Sequence, residues 1–321
     1  MRISIVIPLH NESPNISPLL EAIRNAGIGD DYEVVLVDDG STDDTVAQVK
    51  LHADDHTKLV VLAKNFGQTT AMMAGIDAAE GDYIVTMDGD LQNDPSDIPI
   101  MLDKLETEQW DVVAGIRQNR QDGFLLRKLP SKWANWLIRK LTGVHMKDYG
   151  CTLKVFKKNI AKNLGLYGDL HRFIPVLVQM QGGRMVEMEV KHHARQFGQS
   201  KYGLGRTTKV LSDLLLMVFF QKYLQRPMHI FGLIGLLSFA VGGMINIYLL
   251  ILKLMGQDIW GRPILILGVT LVLAGIQFLI FGVLAEVLVR IYFESQGKKT
   301  YYVREIFHQG SSTAPHSQAV S

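Results

Sequence analysis

Two runs of apolar residues constrain this chain more than any other feature. From Met228 to Leu252 it reads MHIFGLIGLLSFAVGGMINIYLLIL, and from Ile264 to Val289 it reads ILILGVTLVLAGIQFLIFGVLAEVLV. The first has no acidic or basic residue apart from His229, and the second has only Glu286, near its end. Each exceeds the roughly 20 residues that cross a bilayer core. Buried helices of soluble proteins seldom run so long without charge. The expected fold therefore contains a membrane hairpin. Basic residues orient it. Lys222 and Arg226 precede the first run, and Arg290, Lys298, Lys299 and Arg304 follow the second. The connection KLMGQDIWGRP is short and near neutral. The positive-inside bias then places both ends in the cytoplasm.

Composition narrows the remainder. Lys and Arg number 33 against 32 Asp and Glu, a net charge of +1, which gives no support for a nucleic-acid partner. A single cysteine, Cys151, excludes an internal disulfide and suits a reducing compartment. It reads as a small buried residue, not a nucleophile. The N-terminal stretch MRISIVIPLHNES has one Arg and an apolar run ended by Pro8. With no secretory h-region, it reads as a first strand.

Up to about residue 120, short β-rich runs alternate with segments of helical length. The runs are ISIVIP (3–8), YEVVLVD (32–38), KLVVLA (58–63), DYIVTMD (82–88) and WDVVAGI (110–116). Ser13 followed by Pro14 marks a helix start. This pattern predicts an α/β, Rossmann-like domain with a mainly parallel sheet, which binds ligands beyond the carboxyl ends of its strands. Two further segments, 123–143 with Trp133 and Trp136 among five basic residues and 205–226, read as interfacial amphipathic helices. Packing on the soluble domain is the alternative for each. The resulting division is a cytoplasmic catalytic domain over 1–204, a juxtamembrane helix over 205–226, the hairpin over 227–290 and a tail over 291–321. The tail's end, after about 308, has a disordered composition.

Acidic residues at the strand ends carry the chemistry. The first βα turn, IPLHNESPN, lacks the GxGxxG of a dinucleotide fold. Asn11 and Glu12 lie where a nucleotide would sit, or they serve the turn and helix cap. Asp38 and Asp39 of VDDGSTDDT can accept bonds from a base and a ribose, or form an Asx turn. In MDGDLQNDP, Asp88 and Asp90 with one intervening residue suit a hard divalent cation that also touches a diphosphate. They share a face if the strand continues through them. Arg117 and Arg120 of IRQNRQD suit phosphate, or lie in a solvated loop. His192 and His193 lack partners at zinc-binding spacing and read as structural.

HNE, VDDGSTDDT, KNFGQ and MDGDLQNDP together resemble glycosyltransferase family 2, with the GT-A nucleotide-sugar fold. The later segments IRQNRQD, DYGCTLKVF (148–156) and HHARQFGQSKYG (192–203), with the two spans, extend the likeness to about 300 residues. They resemble bacterial polyprenyl-phosphate glycosyltransferases, and more distantly dolichyl-phosphate mannose synthases. The resemblance implies a nucleotide pocket lined by Pro8, Asn11, Glu12 and Asp39. It places Asp88 beside the donor diphosphate, and Asp90 and Gln92 on Mg²⁺ or Mn²⁺. Arg117 and Arg120 face the acceptor phosphate, Asp148 lies near sugar and acceptor, and Arg195, Ser200 and Lys201 belong to a loop over the phosphates. It further implies an inner-membrane homo-oligomer, a tetramer in relatives, that moves one sugar with inversion. RQNRQD and DYGC lean toward the aminoarabinose-type branch, hence a uridine donor and undecaprenyl phosphate. A GDP-mannose transferase is the alternative enzyme, and a lipid-linked sugar flippase component the alternative from another class. No Arg precedes any of the four Trp residues, so the QxxRW of chain-building synthases is missing.

Overall fold

The computed structural model describes residues 2–117, 136, 138–166, 168–194, 214, 216–221, 223 and 227–295. Arg120, Arg195, Ser200, Lys201, Trp133, the tail from 296 and most of the two amphipathic segments lie outside them.

Seven strands form one sheet: β1 (Ile3–Leu9), β2 (Tyr32–Asp38), β3 (Thr57–Val61), β4 (Tyr83–Thr86), β5 (Val112–Arg117), β6 (Lys154–Lys157) and β7 (Met185–Val190). Their order is β3-β2-β1-β4-β6-β5-β7. All neighbours are parallel except β6, which runs antiparallel between β4 and β5. The five early runs are strands as expected. The sequence reading did not mark β6 or β7. Strand β4 also stops at Thr86, before the acidic pair. The apolar runs are long because both faces are covered. On one face Ile5, Ile7 and Leu36 pack with Leu19 and Ile23 of α1 (Ile16–Arg24) and with Met101 and Leu105 of α4 (Ile98–Thr107). On the other, Val6, Val35 and Phe156 meet Met72 and Ile76 of α3 (Gln68–Ala78) and Val178 of α6 (Ile174–Met180). Helices α2 (Thr45–His52) and α5 (Lys158–Lys162) complete the layers. The chain leaves β1 toward β2 and β3, then returns to β4 on the other side of β1. This reversal opens a crevice at the carboxyl ends of β1 and β4, where open α/β sheets bind ligands. The expected helix start at Ser13 is a 3₁₀ turn, Ser13–Asn15, with Pro14 in its first turn; the Ser13 side chain does not cap it, and α1 follows.

Helices α7 (Met228–Leu254) and α8 (Pro263–Ser295) form an apolar hairpin. Within Met228–Leu254 and Pro263–Val289, 18-residue windows have mean hydropathies of 2.1 and 2.7 and are 17% and 11% buried. The core helix of a soluble protein would be mostly covered. These expose rows of Leu, Ile and Phe, including Leu233, Leu236, Leu237, Ile280 and Phe281, which suits a hydrocarbon surround. They are long and apolar enough to cross a membrane. Glycines make their seam. A Cβ on Gly235 would lie 2.9 Å from the Gly275 carbonyl, and one on Gly242 would lie 2.7 Å from the Gly268 carbonyl. The backbones meet because nothing larger intervenes.

The hairpin is tied to the catalytic domain. Leu214 and Met217 are buried in a third cluster with Ala114 of β5, Ile138, Tyr149 and Phe173. Gln221 Nε2 donates to the Thr142 carbonyl at 2.7 Å, and the Phe219 ring lies 6.4 Å from that of Phe231 in α7. The described part of segment 123–143 presents Trp136, 47% exposed, with Lys140 Nζ 5.0 Å from its ring centre, while Ile138 is buried.

Candidate active site

Two loops interlock at the ends of β1 and β2. The Asp39 N–H donates to the Leu9 carbonyl at 2.8 Å, and His10 Nδ1 contacts the Asp39 carbonyl at 2.9 Å. Asn11 takes a positive φ of 53°. Its N–H donates to Ser41 Oγ, and its Oδ1 accepts from the Thr42 N–H at 2.7 Å. The Glu12 N–H donates to Thr45 Oγ1, and its carboxylate accepts from Asn15 Nδ2. Both residues thus serve the turn, the alternative left open for them, while standing at the mouth of the crevice. Pro8 lies in β1 opposite Val37.

Asp38 and Asp39 are buried, at 2% and 3% exposure, and have different partners. Asp38 Oδ2 accepts from the Ser41 N–H, an Asx-type turn; its Oδ1 has no hydrogen-bond partner among the described residues. Asp39 accepts from the N–H groups of Phe66 and Gly67 at 2.7 and 2.9 Å. The KNFGQ motif therefore seats its backbone on a strand-end carboxylate. Gly40 allows the approach: its φ is +65°, and a Cβ there would lie 2.5 Å from Asn65 N. The next residue, Gln68, starts α3 and donates Nε2 to Asp88 Oδ1 at 2.8 Å. A continuous chain of bonds thus links Asp39 to Asp88, through a glutamine the sequence reading did not single out.

Asp88 and Asp90 lie on a turn beyond β4, so the strand pleat does not align them as the sequence allowed. The turn brings them together nonetheless. Burial, and next the Asp90 charge, push the Asp88 carboxyl up to about 6. Asp90 is 6% exposed, and its Oδ1 accepts from the Gln92 N–H at 3.2 Å. Gln92 is held against the chain after β7: the His193 N–H donates to its carbonyl, and its Nε2 reaches the His193 carbonyl at 3.4 Å. A buried Asp90 beside a half-buried Asp88 concentrates negative charge that a cation would stabilise. Among the described residues no three or more His, Cys, Asp or Glu side chains cluster as a metal cage. A pair of hard oxygen donors is nonetheless what Mg²⁺ or Mn²⁺ takes from a protein when substrate phosphates supply the rest. The donor set fits the expected cation. His193 Nε2 pairs with Asp94 Oδ2 at 3.1 Å, the structural use expected of it.

Across the crevice stands the Arg117–Asp148 pair. Arg117 Nε donates to Asp148 Oδ2 at 2.7 Å and its Nη2 to Oδ1 at 2.9 Å. The side chains are 14% and 12% exposed. Glu187 of β7 accepts the N–H groups of Lys147 and Asp148 at 2.8 and 3.1 Å, fixing the backbone beneath the carboxylate. Cys151 is 1% exposed, and burial raises its thiol pKa, consistent with the reading of it as buried and inert. Gln68 and Glu187 support the site, and the sequence reading named neither of them. Their partners lie 20 and 39 positions away along the chain, and only KNFGQ held one of the two.

A mostly parallel sheet whose strand ends present Asp39, Asp88 and Asp90 around one crevice defines a GT-A glycosyltransferase. Residues 4–165 match the domain described as glycosyl transferase family 2. The chain belongs to that family. It is 45% identical over 319 residues to dodecaprenyl-phosphate galacturonate synthase of Rhizobium johnstonii, covering 97% of this chain and 94% of the relative. It is 36% identical over 316 residues to undecaprenyl-phosphate 4-deoxy-4-formamido-L-arabinose transferase of Klebsiella pneumoniae, covering 96% and 94%. Among solved structures, glucosyl-3-phosphoglycerate synthase of Mycobacterium tuberculosis, crystallised with Mn²⁺, UDP and phosphoglyceric acid, superposes with a TM-score of 0.55 at 19% identity, covering 68% of this chain and 78% of that one. That likeness shows the fold.

Proposed function

We propose that this enzyme moves one sugar from a UDP-sugar to a polyprenyl phosphate at the cytoplasmic face of the inner membrane, inverting the anomeric centre. One observation carries the acceptor assignment. Strand β5, which ends in Arg117, shares a packed cluster with Leu214 and Met217 just ahead of the hairpin. The reacting end of the crevice is thereby tethered to the membrane, where a lipid phosphate sits at headgroup depth. The two relatives above, both named for polyprenyl-phosphate substrates, support the same reading. A uronic-acid donor ranks ahead of the aminoarabinose type, because the galacturonate synthase shares more identity with the chain.

Pro8, Asn11, Glu12 and Asp39 hold the nucleotide, with Arg195, Ser200 and Lys201 over its phosphates. Asp88 lies beside the diphosphate, and Asp90 and Gln92 would hold Mg²⁺ or Mn²⁺. When bound there, the cation supplies positive charge to the departing diphosphate. Arg117 and Arg120 attract the acceptor phosphate. That phosphate is already ionised near neutral pH, so Asp148 orients rather than abstracts. Both termini are cytoplasmic, and the exposed hairpin faces serve self-association.

Purified protein with undecaprenyl phosphate and a panel of UDP-galacturonate, a UDP-aminoarabinose derivative and GDP-mannose tests this. A lipid-phosphate sugar from a UDP donor is expected by mass spectrometry. Asp90→Ala should lower turnover on the order of a hundredfold. Transfer to a lipid hydroxyl, exclusive use of GDP-mannose, or full activity in EDTA would each refute a named part.

A further inference from the structure

A lysine lies inside the sheet where the site reading has no use for one. Lys154 is 2% exposed and among the largest fully buried side chains. It occupies β6 between two strands that serve the site. Its cross-strand partner on one side is Thr86, two residues before Asp88, and on the other Ala114, three before Arg117. Its Nζ donates to the Cys151 carbonyl, three residues after Asp148. Asp88, Asp148 and Arg117 all lie within its electrostatic reach. An amine buried this deeply is a poor stabiliser: burial lowers its pKa, and replacing a buried ionisable group by an apolar side chain of similar volume is often neutral or favourable. Such costs persist mainly where function requires them.

We propose that Lys154 is a positioning residue for sugar transfer, its buried amine donating to the Cys151 carbonyl and so holding the Asp148–Arg117 pair in register with Asp88 across the sheet. It unites the acceptor side of the crevice with the donor side. This role exists only if Asp148 stands at the reacting sugar, as proposed above. A misplacement of about 1 Å costs on the order of a hundredfold in rate.

The test uses the full-length protein in detergent with the UDP-sugar that the wild type turns over. Lys154→Met roughly keeps the volume and removes the amine donor. It should lower kcat about tenfold or more while changing donor KM by less than about threefold, with Tm equal to or above wild type. Lys154→Arg should recover part of the rate. The Lys154→Met, Asp148→Asn double variant should be no slower than Asp148→Asn alone, because one residue acts through the other. A kcat within about twofold of wild type, a drop in Tm that accounts for the lost activity, or losses that multiply in the double variant would each overturn the proposal. A wild type inert with every UDP donor would instead defeat the donor assignment, so the two failures are distinct.

Discussion

Arg117 places Nε and Nη2 on the two oxygens of Asp148, and only 14% and 12% of the two side chains reach solvent. The Arg117 N–H also approaches Asp148 Oδ2, at 3.4 Å. Removing Arg117 takes the bidentate cation from a buried carboxylate, which keeps the weaker Gly150 N–H at 3.0 Å. Arg117→Ala should therefore cost about 3 kcal/mol of stability. It should also lower kcat or raise the acceptor KM, because Asp148 loses its anchor. UDP affinity by calorimetry should hold. Arg117→Lys keeps the charge but not the planar fork, so it should rescue only partly. An unchanged Tm would show that the pair stabilises nothing, and a collapse of UDP affinity would assign the arginine to the donor. Both residues were visible in the sequence as candidates, but on separate roles. Their pairing spans 31 positions and no local pattern encodes it.

The same holds for elements. The DGD turn was readable as acidic residues after a strand, yet the pleat argument for their convergence fails, since β4 ends at Thr86. Strands β6 and β7 escaped detection because KVFK is short and MVEMEV alternates with charge near an irregular chain. In the hairpin the pattern was present in the letters. Gly235 and Gly242 are seven apart, as are Gly268, Gly275 and Gly282. Sevenfold spacing keeps one helical stripe facing its partner. Adjacent glycines give a controlled test. A Cβ on Gly242 would lie 2.7 Å from backbone atoms of α8, whereas one on Gly243 meets nothing within 4 Å. Gly242→Ala should destabilise the hairpin by about 1–3 kcal/mol. Gly243→Ala should be neutral or slightly favourable, because alanine is the better helix former. Thermal unfolding in one detergent compares them, and equal Tm values for the pair would dismiss the seam.

At the scale of the molecule, an acidic crevice is packed onto a hairpin of two long apolar helices. A reporter fused after residue 304 should behave as cytoplasmic. A cysteine at Gln257, in the short turn between α7 and α8, should react with an impermeant thiol reagent from the opposite side. Cys151 is buried and contributes little background. The turn carries Asp258 and Arg262 and no positive excess, whereas the flanks are basic. Labelling of both positions from one face would exclude the hairpin topology. Hydropathy and charge are local and additive, so the amino-acid order alone marked the two apolar helices and the basic flanks that predict their orientation. Strand-end carboxylates are nearly as local, which is why the fold class and the acidic crevice were legible. Three features arise only when distant segments meet: the antiparallel β6 that carries Lys154 between β4 and β5, the Glu187 seat under Asp148, and the cluster tying β5 to the hairpin. Each depends on sheet order and packing between residues tens of positions apart, and those contacts form through burial shared by the whole domain.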